Sequence, residues 1–192
     1  MKHPLLLTLL LTIGLPLAAH AADSYTIDPE HSFPHFSVSH LGFSTMQGRF
    51  DQTSGKATLD VAGKKGSVEL NVEAASINTG FGKRDTHLRS PDFFNAAEFP
   101  RINFKSTAFK FKGDTLESVE GNLTLLGVTK PVKLTINFFK CGLDPMDPLK
   151  IREKCGADAS TQIKRTDFGM KFGVPMVGDD IKLVFEIEAI KD

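Results

Sequence analysis

From residue 24 onward, apolar and polar side chains alternate with a period of two along much of the chain. In Val132-Lys133-Leu134-Thr135-Ile136-Asn137-Phe138 the apolar residues share one face and the polar ones the other, as a half-buried antiparallel strand requires. The same alternation sets Val68, Leu70, Val72 and Ala74 against Glu69, Asn71 and Glu73, and Ala57, Leu59 and Val61 against Thr58 and Asp60. It also sets Ile181, Leu183, Phe185 and Ile187 against Lys182, Glu186 and Glu188. Further strands are predicted over 24–28, 33–39, 43–51, 101–111, 116–126 and 157–164. Turn signals such as Lys64-Lys65-Gly66, Lys112-Gly113-Asp114 and Gly178-Asp179-Asp180 fall between several of them. The pattern gives about eight to ten strands and one short helix within 82–90. The βαβ alternation of a parallel sheet is absent, so an antiparallel barrel or sandwich follows.

The two differ in what they hold: a barrel of eight strands can enclose one small ligand, whereas a sandwich fills its middle with side chains. All 16 Phe residues lie beyond residue 21, with one Tyr and no Trp, so the aromatics were selected for apolar area without a polar handle. Phenylalanine either lines a hydrocarbon tunnel or fills an ordinary core, and composition alone favours the core.

The first residues read as a leader. Met1-Lys2 is a basic start, an apolar run extends over 5–17, and Ala19-His20-Ala21 fits a small-x-small cleavage site, so cleavage is expected after Ala21. This assigns 1–21 to a signal peptide and 22–192 to a single domain. The run is shorter than the roughly 20 residues of a spanning helix, and no membrane span is expected. Removing Lys2 leaves 22 of the 23 basic residues against 23 acidic ones, a near-neutral domain with no electrostatic reason to bind nucleic acid. Cys141 and Cys155 flank Gly142-Leu143-Asp144-Pro145-Met146-Asp147-Pro148, an irregular excursion in this reading. In an exported protein the pair reads as a disulfide, contributing about 3 kcal/mol in the chain-entropy account.

Candidate chemistry gathers in Gly82-Lys83-Arg84-Asp85-Thr86-His87-Leu88-Arg89-Ser90-Pro91-Asp92-Phe93-Phe94, where ionisable groups stand beside a phenylalanine pair. A charged lip against an apolar interior suits an amphiphile, with Arg84 and His87 near its head group. The structural alternative pairs Arg84 with Asp85 or Asp92 and buries His87 against backbone. His31, His35 and His40 are too widely spaced on a strand for one ion, the first pair standing about 13 Å apart at ~3.3 Å per residue, so no metal site is expected. An Arg84, Asp85 and His87 acid–base set would make a lipid-modifying enzyme, but no nucleophile elbow accompanies it, so the chain is read as a non-enzyme.

Four motifs extend this reading: Ile27-Asp28-Pro29-Glu30-His31-Ser32 leading into Phe36-Ser37-Val38-Ser39-His40-Leu41-Gly42-Phe43-Ser44; Arg84 to Phe94 as above; Gly121-Asn122-Leu123-Thr124-Leu125-Leu126-Gly127-Val128-Thr129-Lys130-Pro131-Val132; and Arg165-Thr166-Asp167-Phe168-Gly169-Met170. In this order the chain resembles the YceI-like family of exported lipid- and polyisoprenoid-binding proteins, over essentially all of 22–192. The resemblance implies an all-β, lipocalin-like, up-and-down antiparallel barrel of about eight strands and a periplasmic location. It also implies a bound elongated amphiphile, such as a polyisoprenoid, an isoprenoid quinone or a fatty-acid derivative, and no cofactor besides it. The expected function is that of a carrier or sequestering protein; an envelope stress protein with a side-chain-filled barrel is the other non-catalytic alternative. On strand parity, Phe36, Val38, Leu70, Phe104, Leu123, Leu134, Phe138 and Phe185 face the tunnel. Leu88, Phe93 and Phe94 close one mouth, with Phe43 and Phe168 on its rim. Pairing of two copies as a homodimer is left open.

Overall fold

The computed structural model describes residues 22–192; the expected signal peptide and its cleavage point lie outside the described residues. Eleven strands form one antiparallel sheet: β1 (Asp23–Ile27), β2 (Phe33–His40), β3 (Ser44–Phe50), β4 (Thr53–Asp60), β5 (Lys65–Glu73), β6 (Ile77–Asn78), β7 (Arg101–Lys112), β8 (Thr115–Leu125), β9 (Val128–Leu143), β10 (Glu153–Lys164) and β11 (Val177–Lys191). A single α-helix, α1 (Gly82–Leu88), and two short 3-10 turns, Ala74–Ser76 and Arg165–Phe168, complete the described residues. Strands β4, β5, β7, β8, β9, β10 and β11 follow one another as neighbours, and β1 pairs with both β4 and β11, closing an eight-stranded barrel.

The closure depends on β11 serving two partners in turn. Its end, Ala189 to Lys191, pairs with β1, while Glu186 and the residues before it pair with β2. Ser32, fully buried between them, bridges the gap: its hydroxyl donates to the Glu188 carbonyl and accepts from the Glu188 N–H, each at 3.1 Å. A side chain thus completes the ladder where the backbone turns away. Beyond β2, strands β3 and β6 extend the sheet as a flap next to α1.

The alternation read from the sequence is realised, with several register shifts, two of which change where phenylalanines point. In β7 the register slips between Ser106 and Ala108, so Phe104 and Phe109, of opposite parity, both pack into the core. In β9 the pairing passes from Phe138 opposite Asp158 to Ile136 opposite Ala159. The extra residue turns Phe139 inward and leaves Phe138 55% exposed, so the inward placement of Phe138 expected from parity is corrected. The β8–β9 connection is a two-residue turn in which Leu126 and Gly127 both have positive φ, 52° and 72°. A Cβ on Gly127 would also lie 2.9 Å from the Phe99 ring, so both conformation and space require glycine there.

The Cys141–Cys155 disulfide is formed and joins directly paired positions of β9 and β10. The excursion is therefore displaced from its expected position: Gly142 and Leu143 still belong to β9, and irregular backbone occupies 144–152. There Asp147 accepts hydrogen bonds from the backbone N–H groups of Leu149, Ile151 and Arg152, and buried Asp144 pairs with Arg152 at 2.8 Å.

Candidate ligand-binding site

Two apolar chambers lie inside the barrel. The first, about 120 Å³, extends under α1 and the flap, and eighteen of its nineteen lining residues are apolar. The second, about 110 Å³, lies toward the disulfide and is lined by Tyr25, Ile27, Leu59, Leu116, Val119, Leu134, Ile136 and Phe139 among others. Each is several times the roughly 10–15 Å³ that a single water occupies, and a dry apolar wall gives water nothing to bond. Leu70 and Phe185 line both chambers and form the partition between them.

The first chamber brings together most of the residues singled out from the sequence. Phe36, Val38, Leu70, Leu88, Phe93, Phe94, Phe104, Leu123 and Phe185 are on its wall, whereas Leu134 stands in the second. Space is made for these rings by glycines on adjacent strands: a Cβ on Gly48 would lie 2.5 Å from the Phe36 ring. Phe50, buried at the base of the flap, packs against Phe36 at 5.9 Å and edge-on against Phe94 at 5.4 Å, which ties the flap to the segment after α1. Phe168 is 2% exposed, yet lines neither chamber, and Phe43 is 90% exposed on the β2–β3 turn, away from both.

The charged lip resolves into separate jobs. Asp85 is buried and accepts hydrogen bonds from the Thr79 N–H and hydroxyl, and Arg84 donates through Nε to Thr79 Oγ1 and through Nη2 to the Thr79 carbonyl, both at 2.7 Å. Together they staple α1 to the end of β6. His87 bonds through Nε2 to Asp92 at 2.8 Å and stands edge-on to Phe93 and Phe172, at 5.0 and 5.3 Å. Neither Arg84 nor His87 lines a chamber; Arg84 is held by Thr79 and His87 by Asp92. Arg84 and Asp85 share Thr79 while His87 pairs with Asp92, so the three are not hydrogen-bonded to one another as an acid–base set.

The charged residue on the chamber wall is one the sequence reading quoted but did not select. Arg165, 3% exposed, donates from Nε to the Gly178 carbonyl at 2.9 Å, from Nη1 to Met170 at 3.1 Å and from Nη2 to Val177 at 2.9 Å. Burial draws its pKa below the ordinary guanidinium value, and Asp179 opposes that shift. Its guanidinium fastens the 169–178 segment across the end of the barrel. The one sequence signal is that Arg165 opens the Arg165-Thr166-Asp167-Phe168-Gly169-Met170 motif.

At the opposite end Asp28, His31 and Glu188 converge within 4.8 Å, although no local spacing announces them. The cation among them is the Lys154 ammonium, 2.6 Å from Glu188 and 3.8 Å from Asp28. Its hydrogen bond to Glu188, against the cost of burial, raises the Lys154 pKa.

A closed antiparallel barrel around a dry interior, capped at one end by a helix, places the protein among the lipocalin-like barrels, a class built around an interior that accepts apolar small molecules. The chain belongs to the YceI family: the model of the YceI-like domain matches residues 25–189. A UPF0312 protein of Shewanella denitrificans is 40% identical, with both chains covered completely. Among solved structures, Campylobacter jejuni YceI is similar with a TM-score of 0.66 at 28% identity, covering 80% of this chain and 90% of its own. A polyisoprenoid binding domain from Saccharophagus degradans, implicated in plant cell wall breakdown, shares the fold with a TM-score of 0.64 at 18% identity, covering 88% of this chain and 98% of its own.

Proposed function

We propose that this is a non-catalytic carrier or sequestering protein of the periplasm, exported by its first 21 residues, that holds the hydrocarbon tail of an elongated amphiphile. The observation that carries this reading is the wall of the first chamber, apolar at every lining residue except Arg165, whose donors are directed to backbone carbonyls. Such a wall recognises shape and dryness, and each Å² of hydrocarbon taken from water contributes about 25 cal/mol. A polyisoprenoid, an isoprenoid quinone or a fatty-acid derivative meets the requirement, and the Saccharophagus domain supports the first by its described ligand class. Leu70 and Phe185, shared by both walls, let a long tail thread from one chamber to the other when their side chains turn. The disulfide suits an oxidising compartment.

The test is mass spectrometry of an organic extract of the protein purified from its own cell envelope without detergent. The expected result is a prenyl or acyl species at a stoichiometric level, absent from a denatured control. Empty extracts, together with no binding of added prenyl or acyl probes, would overturn the reading.

A further inference from the structure

Apart from Phe138, on the outer face of β9, the large apolar side chains exposed among the described residues lie on or beside the connections at the two ends of the barrel. One group lies on two loops at the α1 end. Leu41 and Phe43, on the β2–β3 turn, are 43% and 90% exposed, and Phe172 and Met176, on the segment fastened by Arg165, are 49% and 64% exposed. The two loops are joined, since the Leu41 N–H donates to the Met176 carbonyl at 2.7 Å. Phe172 continues the patch inward: its ring packs at 5.3 Å against Phe93, which lines the first chamber. Phe172 thus links this end's exposed apolar residues to the chamber wall through Phe93. A soluble protein rarely leaves such a patch uncovered without a partner.

The charges at this end favour one partner. Lys83 and Lys171 are exposed and form no ion pair among the described residues. The carboxylates on and just after α1 are engaged, Asp85 by Thr79 and Asp92 by His87. Apolar tips flanked by unpaired lysines match the boundary of an anionic bilayer, where side chains enter the acyl edge and ammonium groups meet phosphates.

We propose that the α1 end docks on the surface of an anionic phospholipid bilayer, with Phe43, Leu41 and Met176 inserted and Lys83 and Lys171 on lipid phosphates. A hydrocarbon tail then passes beside Phe172 into the first chamber without crossing water. The docking stands on the surface alone, while the route for the tail rests on the carrier function proposed above.

Flotation with vesicles of phosphatidylglycerol and phosphatidylethanolamine tests it, using ligand-stripped protein so that failure of docking and failure of the carrier reading are separate results. The wild-type protein is expected to float with these vesicles, and the double variant Phe43→Ser/Met176→Ser to lose at least about tenfold in partitioning, with unchanged melting because both side chains face water. Lys83→Glu/Lys171→Glu keeps the apolar tips and is expected to lose binding and its salt dependence together. Met146→Ser/Leu149→Ser, at the disulfide end, is expected to float as wild type does. Absence of flotation, equal flotation of Phe43→Ser/Met176→Ser, or equal partitioning onto phosphatidylcholine vesicles would overturn the proposal. So would a wild-type dimer in light scattering that this variant dissolves, which would make a second copy the occupant.

Discussion

The Phe104 ring lies across Gly121 of the neighbouring strand, so close that a Cβ at Gly121 would stand 2.5 Å from a ring carbon and 2.6 Å from the Lys105 carbonyl. Phe104 can flatten against β8 only because position 121 has no side chain, and that posture keeps the first chamber open. Gly121→Ala is therefore expected to destabilise the fold by about 1–3 kcal/mol, read as a lower urea midpoint with an unchanged slope. Wild-type stability in this variant would show that Phe104 has room elsewhere.

The β9 bulge separates two adjacent phenylalanines. Phe139→Ala removes a ring from the second chamber's wall and should cost about 3 kcal/mol, whereas Phe138→Ala, on the outer face, should cost less than about 1 kcal/mol. Thermal or urea unfolding of the pair measures the difference, and a reversed order would place the bulge incorrectly.

Filling the first chamber separates binding from folding. Leu183 is half-buried on its wall, and Leu183→Trp adds volume into empty space. Affinity for a neutral hydrophobic fluorophore such as N-phenyl-1-naphthylamine should fall at least about tenfold, with stability changed by less than about 1.5 kcal/mol. Undiminished binding would move the ligand site away from this chamber.

Arg165→Met leaves three backbone carbonyls without their donor and should cost about 2–4 kcal/mol. Arg165→Lys is expected to recover little, because one ammonium cannot match the planar fork that reaches Met170, Val177 and Gly178. Hydrogen exchange localises the effect: faster exchange confined to 169–178 in the lysine variant supports the clamp, and uniform protection would refute it.

Acid stability has a specific contributor in Asp28. Burial on its own raises the pKa of this carboxyl, but hydrogen bonds from His31 and the Glu30 N–H, with the nearby charges of His31 and Lys154, more than reverse that and hold it below the ordinary carboxylate value. A depressed folded-state pKa stabilises above the unfolded value of about 3.9, and the contribution fades as pH falls through the lower folded value. Asp28→Asn should therefore be less stable than wild type at pH 7, with the gap closing below about pH 4. Melting curves across that range check the sign.

Much of the barrel was legible because a strand with one wet and one dry face writes its orientation into every second residue. The predicted segments over 33–39, 101–111 and 116–126 match β2, β7 and β8 to within one residue at each end. The short helix beside Arg84 to Leu88 and the disulfide pairing were equally readable, the latter because two cysteines allow one intramolecular bond. Seven of the eight tunnel-facing placements made from parity lie on a chamber wall, but parity counts residues, and a bulge adds a residue without leaving a mark in composition. Phe138 was lost for that reason.

The sequence by itself determined an antiparallel all-β fold, the faces of its regular strands and the residues able to line an apolar interior, since these follow from local periodicity. Tertiary structure alone decided how β1 and β2 share β11 around Ser32, that Arg165 and not Arg84 stands on the chamber wall, and that Asp28, His31, Lys154 and Glu188 form one ionic cluster. The first and last depend on contacts between positions far apart in the chain, 156 residues for Ser32 and Glu188. Barrel closure creates those contacts, because the partner of a buried polar group is whichever acceptor the fold leaves unsatisfied beside it.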